Sequence, residues 1–311
     1  MIEQEKKRGV WSAAPTPFTK EGKVDENSVG RMIEHHIRLG IRGLFLAGTN
    51  GEGPWLPERE LRSLFRSAVG YNRGRMVIAV QVTANSAAQI LENSEKAAED
   101  GADVAVIAPP FFAAGYASEK TRSDRIARIY LDAVRKNPLP VGMYDRGSFS
   151  SVAVPDPVLE RVYGEKNVVM VKDSSSNDLR MELALKAKIV RPRLSLLNGY
   201  EFGCVRYLKA GYDGLLLGGG VFNGFIARRL WEAARAGDFP RAERLQKKMN
   251  RIMYAVYGGK KIRSWLAGEK YLLVRMGIFH TWLNHPDYPL TGSDQRRIET
   301  VLDKESAWLL P

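Results

Sequence analysis

The chain has 311 residues, of which 44% are hydrophobic and 26% charged, with a single cysteine and a formal net charge of +12. This composition is typical of a globular protein, and a single cysteine excludes an internal disulfide. No apolar run reaches the ~18 residues of a membrane helix, and the charged N-terminus lacks a secretory signal. We therefore expect a cytoplasmic protein. The basic residues are spread along the chain without zinc-ligand or RNA-binding motifs, which favours an enzyme that attracts anionic substrates over a binder of nucleic acid or membranes.

Short β-type runs alternate with helical stretches along most of the chain. Several runs, such as Met76–Gln81, are almost continuously apolar, as is typical of parallel strands covered on both faces. The stretches between them, including Glu58–Val69 and Ser86–Ala98, show the 3-to-4 spacing of a helix with one buried stripe. The predicted strands are Val10–Ala14, Gly43–Ala47, Met76–Gln81, Asp103–Ile107, Pro140–Tyr144, Val168–Lys172, Leu194–Asn198 and Gly214–Leu217.

This alternation predicts the fold. Eight βα units between residues 10 and 236 favour an α/β protein with a closed (β/α)8 TIM barrel. An open, doubly wound sheet is the alternative, but no G-x-G-x-x-G follows a strand to support it. After Gly237 the strands stop, and three helices are predicted at Phe239–Tyr257, Ile262–Met276 and Ser293–Leu302. We therefore expect a catalytic barrel over residues 1–236 and a C-terminal three-helix extension over residues 237–311.

The most informative residue is Lys172, which closes the apolar sixth strand. Functional groups of a barrel gather at the C-terminal ends of its strands. A lysine at the mouth of the lumen is desolvated, which lowers the pKa of its amine and makes it nucleophilic toward a ketone. A Schiff base would turn the keto carbon into an electron sink. A solvated lysine at the end of the strand is the alternative, and for a lone lysine it is the commoner one.

Two other strand ends carry groups suited to the same chemistry. Tyr144 ends the fifth strand, where its phenol could relay a proton, although a tyrosine on the rim of the core is the alternative. The second strand leads into the glycine-rich segment Gly48–Gly53, whose backbone N–H groups could hold the carboxylate of a 2-keto acid. By itself such a segment is often only a tight turn.

These segments, in this order, resemble the signatures of the dihydrodipicolinate synthase / N-acetylneuraminate lyase family of class I, Schiff-base-forming aldolases. Ala14–Phe18 after the first strand and Asn198–Glu201 after the seventh also match, and the resemblance covers about residues 9–302. It implies a pyruvate-type Schiff base on Lys172 and a proton-handling Tyr144. It also implies that no metal or organic cofactor is needed, and that the chain forms a homotetramer built as a dimer of dimers.

The resemblance also implies how the substrate is held. The turn that contains Gly48 would bind the keto-acid carboxylate through the Thr49 hydroxyl and the backbone N–H of Asn50. The Gly218–Gly220 loop after the last strand, with Gly219 at its centre, would border the substrate.

The sequence departs from dihydrodipicolinate synthase at three positions of the second substrate's site. Asn50 stands where that enzyme has a second hydroxyl residue, and Phe112 stands where it has a tyrosine that reaches the neighbouring subunit. Phe149 stands where it has an arginine that binds the semialdehyde carboxylate. These three differences argue against a role in lysine biosynthesis.

The sequence departs from sialic acid lyase as well, and these differences favour another sugar acid. One of two acidic residues is kept, as Glu201, so sialic acid itself is not expected, whereas a polyhydroxylated chain could bind Glu201 and the Gly199 carbonyl. Tyr144-Asp145-Arg146 resembles a segment of the family's sugar-acid dehydratases. Arg146 could therefore bind a second carboxylate, the alternative being a surface pair with Asp145.

Three further expectations concern neighbouring residues. Ser174–Ser176 with Asp173 are predicted to cap the next helix. The pair His35-His36 is predicted as a surface or core pair, since no ligand stands at metal spacing. A further group is expected to make the outer part of the site apolar, or else to pack in the core or at an interface, and it comprises Trp55, Phe111, Phe112 and Phe149.

The sequence therefore predicts a class I lyase or aldolase that forms a Schiff base at Lys172 with pyruvate or with a 2-keto acid derived from a sugar acid. Retro-aldol cleavage, condensation and dehydration all use the same imine. Dihydrodipicolinate synthase, which acts on pyruvate and aspartate semialdehyde, is the nearest alternative. A barrel that binds keto acids without turnover is the alternative of another class.

Overall fold

Eight parallel strands close into a barrel in chain order, and the last strand pairs with the first. The computed structural model describes residues 3–111 and 118–311. The predicted (β/α)8 barrel is confirmed, each predicted strand agrees with the observed one to within a residue at either end, and the open-sheet alternative is wrong. The strands are β1 Gly9–Ala13, β2 Gly43–Leu46, β3 Val77–Gln81, β4 Val104–Ile107, β5 Val141–Asp145, β6 Val168–Asp173, β7 Ser195–Asn198 and β8 Gly214–Leu217.

A helix follows each strand, and three more helices follow the barrel. Side-chain caps begin several of them: Asp25 accepts the N–H of Ser28 at the start of the first helix, and Ser86 accepts that of Gln89. The helices are α1 Glu26–Leu39, α2 Glu58–Asn72, α3 Ala87–Glu99, α4 Glu119–Arg135, α5 Asp156–Tyr163, α6 Asp178–Val190, α7 Cys204–Ala210, α8 Gly220–Arg235, α9 Phe239–Val256, α10 Trp265–Arg275 and α11 Gly292–Leu309.

The predicted cap of α6 is wrong. The side chain of Asn177, rather than one of the preceding serines, accepts the N–H of Arg180 at the start of this helix. The Asp173 carboxylate is already engaged, because it accepts hydrogen bonds from Ser175 and from the Tyr212 hydroxyl. The Asp173 carboxylate is therefore used within the loop and by Tyr212, and does not cap α6.

The apolar core has two parts, one between strands and helices and one inside the barrel. The inner cluster includes Trp11, Phe45, Met170 and Leu216, which fill the lumen below its mouth. In the outer layer the pair His35-His36 is buried in α1, as the core interpretation predicts. Burial lowers the pKa of His35 to about 4 and that of His36 to about 3, so both rings are neutral at physiological pH.

The three C-terminal helices share the outer core with the barrel. Helix α10 begins at Trp265, later than predicted, because Gly258, Gly259 and Ile262 adopt left-handed backbone conformations. Helix α11 continues to Leu309, beyond its predicted end. The division into a barrel and an appended segment at residue 236 stays a prediction. In the part of the chain that the structure describes, no helix is both long and apolar enough to cross a membrane.

A fully buried ion pair joins the C-terminal segment to the barrel mouth. Lys270 of α10 pairs with Glu52 in the turn after β2, and both side chains are 0% exposed. The Lys270 ammonium also donates to the Leu283 carbonyl, at 2.8 Å. The other oxygen of Glu52 accepts the N–H of His285, at 2.7 Å. The turn after β2 is therefore anchored from outside the barrel as well as from within.

We expect Lys270→Met to destabilise the fold by about 3–5 kcal/mol, because it leaves the Glu52 carboxylate buried without its cation. Urea unfolding followed by circular dichroism measures this as a lower midpoint. The double variant Glu52→Gln/Lys270→Met should recover much of the loss, since no buried charge is then left unpaired. Lys304→Met, at an exposed position of α11, is the control. A shift of Lys270→Met no larger than that of the control contradicts the expectation.

Candidate active site

A cavity of about 440 Å³ opens at the C-terminal ends of the strands. Pockets for small molecules commonly measure about 300–1,000 Å³, so this one has room for more than a three-carbon acid. Its lining consists of Ala13, Thr49, Asn50, Tyr144, Arg146, Phe149, Lys172, Ser174, Gly199, Tyr200, Glu201, Phe202, Gly218, Tyr254, Tyr257, Lys260, Ile262 and Trp265.

Seven of the ten predicted site residues lie in this lining, whereas Gly48 and Gly219 do not. Gly48 lies in the turn and packs on Phe45, because a Cβ atom at this position would come within 2.6 Å of the Phe45 ring. Gly219 lies behind Glu201 and donates its N–H to that carboxylate at 2.7 Å. Phe112 lies outside the described residues. The structure thus brings together the predicted groups from the ends of β2, β5, β6 and β7.

Lys172 and Tyr144 are direct neighbours on adjacent strands, since they pair in the register of β5 and β6. Their side chains point into the lumen, where Lys172 is only 5% exposed. The Lys172 Nζ lies 4.3 Å from the centre of the Tyr144 ring and 5.1 Å from that of Phe45. The amine therefore sits on aromatic rings at the top of the inner core, and the solvated-lysine alternative is wrong.

This burial changes the proton affinities of both groups. Burial lowers the pKa of Lys172, against the opposing influence of Tyr144 and Glu201. Burial alone would raise the pKa of Tyr144, but the positive charges of Lys172 and Arg146 and hydrogen bonds with Ser174 and Thr49 outweigh it and lower that pKa. A neutral Lys172 amine beside a protonated Tyr144 phenol can combine nucleophilic attack with proton transfer.

The glycine-rich turn after β2 is tightly folded beside this pair. A Cβ atom on Gly53 would lie 1.9 Å from the Ala47 carbonyl oxygen, so only glycine fits there. Ala47 and Glu52 adopt left-handed conformations, with φ of 55° and 58°, which are strained for these residues. The Thr16 hydroxyl donates to the Gly51 carbonyl at 2.6 Å. The turn is thus held in one shape, with Thr49 in contact with Tyr144.

Glu201, in the segment after β7, is fixed by two hydrogen bonds. One carboxylate oxygen accepts the Gly219 N–H at 2.7 Å, and the other accepts the Tyr257 hydroxyl at 3.1 Å. Burial raises the pKa of Glu201, although these hydrogen bonds and Lys172 oppose the rise. A carboxyl group with a raised pKa can exchange a proton with a hydroxylated ligand near neutral pH.

Arg146 lines the cavity and is not paired with Asp145, so the surface-pair alternative is wrong. Asp145 points out of the lumen, where it accepts the Gly147 N–H at 2.9 Å and lies 3.5 Å from the Arg180 guanidinium. Among the described residues Arg146 has no carboxylate partner. Its charge is therefore available to an anionic ligand.

The expected apolar outer part of the site is only partly present. Phe149 lines the cavity, although it is 62% exposed. Phe111 lies instead at a separate cavity between α2 and α3, beside Leu61, and Trp55 is absent from the described lining. For Phe111 and Trp55 the pocket alternative is wrong, since neither lines this cavity, and packing at an interface stays a prediction.

Sequence reasoning missed the contribution of the C-terminal segment, which was expected only to pack on the barrel. The cavity is also lined by Tyr254 from α9, by Tyr257 and Lys260 from the loop that follows it, and by Trp265 from α10. The one local signal is Gly258-Gly259, which marks a sharp break between two helices. Within residues 3–111 and 118–311, no group of three His, Cys, Asp or Glu side chains is placed to hold a metal ion.

The fold and site together define a barrel enzyme with its functional groups at the C-terminal face. The chain belongs to the dihydrodipicolinate synthetase family, whose model matches residues 6–305. The resemblance found in the sequence is therefore confirmed, and the protein is a lyase of this family.

Individual relatives differ in their activities. The chain is 28% identical over 256 residues to the 4-hydroxy-tetrahydrodipicolinate synthase of Kosmotoga olearia, and this alignment covers 80% of this chain and 83% of the relative. It is 25% identical over 273 residues to the N-acetylneuraminate lyase of Rhizobium meliloti, covering 88% and 87%. Among solved structures, dihydrodipicolinate synthase from Bacteroides thetaiotaomicron has a TM-score of 0.85 at 25% identity, covering 96% of this chain and 98% of that one.

We expect Gly199→Ala to slow imine formation with pyruvate by about 10–100-fold, since small misplacements of reacting groups cost rates of that order. An added Cβ would lie 2.1 Å from the Ser174 hydroxyl oxygen and 2.9 Å from Lys172 Cε, which forces the lysine to move. The measurement is the rate of borohydride-trapped adduct formation. Gly70→Ala, where nothing lies within 4 Å, is the matched control. Equal rates for the two variants contradict the expected crowding of Lys172.

Proposed function

We propose that the protein is a class I lyase that forms a Schiff base between Lys172 and the keto group of a 2-keto acid derived from a sugar acid. The observation that carries the proposal is the buried Lys172 amine in contact with the Tyr144 phenol, inside a cavity with room for a longer chain. The family of lyases to which the chain belongs supports the same chemistry.

Imine formation would begin with attack of the Lys172 nitrogen lone pair on C2 of the keto acid. The carbonyl π electrons move to oxygen, which takes a proton from Tyr144, and the nitrogen loses one proton. The resulting carbinolamine loses its hydroxyl group as water after a second proton transfer, which leaves a protonated imine. Thr49 and Ser174, both in contact with the phenol, would pass these protons on.

The protonated imine can then draw electrons from the next bonds of the chain. In retro-aldol cleavage the C4 hydroxyl loses its proton to the Tyr144 phenolate, the C3–C4 bond breaks so that C4 leaves as an aldehyde, and the electron pair of that bond forms the enamine. Protonation at C3 and hydrolysis release pyruvate and the free amine. In dehydration C3 loses a proton and the C4 hydroxyl leaves as water, for which the Glu201 carboxyl group is suited to supply the proton.

The remaining predicted residues would bind the substrate. The Thr49 hydroxyl and the Asn50 backbone N–H would hold the C1 carboxylate, in the turn that Gly48 allows. Further along the chain, hydroxyl groups would meet Glu201 and the Gly199 carbonyl, with Gly219 keeping Glu201 in place.

A sugar acid fits this site better than aspartate semialdehyde does. Several relatives are named 4-hydroxy-tetrahydrodipicolinate synthase, which keeps that activity as the second candidate. However, Asn50 supplies no hydroxyl for a relay, and Phe149 supplies no charge for the semialdehyde carboxylate. Arg146, directly after β5, offers its charge inside the cavity, where the far carboxylate of a longer dicarboxylic substrate would reach.

Three further expectations belong to the proposal. The lysine imine would serve as the electron sink, so no metal or organic cofactor is invoked. A homotetramer, as a dimer of dimers, stays a prediction that fits the exposed apolar side chains of Leu179, Ile189 and Val190 on α6. A cytoplasmic location also stays a prediction.

Borohydride trapping tests the proposal. Incubation with pyruvate or a 3-deoxy-2-keto sugar acid should give one covalent adduct on the wild type and none on Lys172→Ala, as read by mass spectrometry. Because burial lowers the pKa of Lys172 below the usual 10.5, its reactive neutral form persists to lower pH than in an exposed lysine. Trapping should therefore remain fast near neutral pH and slow as the pH falls through that lowered value.

The controls separate the alternatives. Lys136→Ala, at an exposed position after α4, should be trapped like the wild type. Adding aspartate semialdehyde to the pyruvate imine should give negligible turnover, and rapid turnover would instead support the dihydrodipicolinate synthase activity. A keto acid that binds the wild type but is never trapped would support the non-catalytic alternative and overturn the proposal.

Arg146→Ala tests the second carboxylate. We expect kcat/KM for a dicarboxylic 2-keto acid to fall about 10–100-fold, because a charge-assisted hydrogen bond contributes roughly 1.5–3 kcal/mol. For a monocarboxylic analogue of the same length the change should stay within about threefold. Arg296→Ala, at an exposed position of α11, should change neither value. An unchanged preference between the two substrates removes Arg146 from the carboxylate site.

A further inference from the structure

Asn50 joins three parts of the barrel mouth through its side chain. Its Nδ2 donates to the Ala13 carbonyl at the end of β1, at 2.8 Å, and lies 3.3 Å from the Gly218 carbonyl after β8. The same nitrogen lies 3.1 Å from Oε1 of Glu269 on α10. Two N–H groups thus serve three acceptors, and the side chain is only 4% exposed. The position of the Asn50 backbone in the turn is set by these contacts.

Glu269 is a buried carboxyl group that the proposed chemistry leaves without a role. It is 0% exposed, although it neighbours the Lys270–Glu52 ion pair. Its Oε1 accepts from Asn50, whereas its Oε2 has no hydrogen-bond partner among the described residues. A buried carboxylate with one donor for its two oxygens is very costly, whereas a neutral acid, which carries no charge, is far less so.

We propose that Glu269 is a positioning residue for the keto-acid site: its carboxyl group holds the Asn50 side chain, and so fixes the turn that receives the substrate carboxylate. This inference rests on the proposed function, because it assigns the turn to the C1 carboxylate. Glu269 does not line the cavity in the described structure and acts on the substrate only through Asn50.

The charges around Glu269 explain why its neutral form is needed. Glu52 faces it from the turn after β2, Glu201 from the loop after β7, Lys270 from its own helix and Tyr257 from the end of α9. Burial raises the pKa of Glu269 well above the usual range, and the two glutamates add to the rise against Asn50 and Lys270. A negative Glu269 would repel a substrate carboxylate held by Asn50.

The sign of the pH effect follows from this. Glu269 is neutral below its raised pKa, so keto-acid binding is intact there and weakens as the pH rises through that value. Glu269→Gln keeps an oxygen that accepts from Asn50 but cannot ionise. Glu269→Ala removes the acceptor at every pH.

The experiment measures the half-saturating pyruvate concentration for borohydride trapping from acidic to alkaline pH. We expect Glu269→Ala to raise it about tenfold at neutral pH, as the loss of one buried hydrogen bond predicts. Glu269→Gln should stay within twofold of the wild type at neutral pH and lack the alkaline rise that the wild type shows. The trapping rate at saturating pyruvate should change less than the half-saturating pyruvate concentration does. Glu299→Gln is the matched control and should behave like the wild type. The Glu299 carboxylate accepts a hydrogen bond from the Tyr271 hydroxyl and does not line the cavity.

The outcomes are distinct. If the wild type forms no adduct, the proposed function is overturned. If the wild type forms the adduct and Glu269→Ala has the same half-saturating pyruvate concentration, only the role of Glu269 is overturned. Where Glu269→Ala fails to fold, Glu269→Gln decides. An alkaline rise equal to that of the wild type in Glu269→Gln overturns the inference, and its disappearance supports it.

Discussion

The exclusion of water from one amine is the constraint on which the site depends. Lys172 lies on the rings of Tyr144 and Phe45, above a lumen filled with apolar side chains, so its ammonium form loses hydration without gaining a carboxylate in direct contact. Desolvation therefore favours the neutral amine. The barrel makes this arrangement by pairing Tyr144 with Lys172 across β5 and β6, so that their side chains share one face.

The groups around this amine are held by contacts that reach far along the chain. The turn after β2 keeps strained conformations at Ala47 and Glu52, and Lys270, more than two hundred residues later, anchors it. Glu201 is likewise held by Tyr257, the residue that follows α9. The C-terminal helices thus complete the mouth of the barrel as well as covering its side. Strain in the turn is tolerated because these contacts hold it.

Regular features of the chain were predictable from local patterns. Apolar runs of four to six residues separated by amphipathic stretches indicate parallel strands and helices, and the strand bounds agree with the structure to within a residue. Lys172 and Tyr144 were predictable because a polar residue that ends an apolar strand must lie at the barrel mouth. The cap of α6 was not, because Asp173 is engaged by Tyr212, which no local pattern reveals.

By itself the sequence determined the alternation of strands and helices, the family and the identity of the amine and the phenol, since all of these depend on short-range periodicity and on motifs. Only the tertiary structure decided that Arg146 is free of Asp145, that Phe111 lies away from the cavity, and that α9 and α10 contribute side chains to it. These outcomes depend on which distant segments pack together and on how burial shifts each charge. Both are properties of the assembled barrel, because desolvation and long-range pairing exist only after the chain has closed.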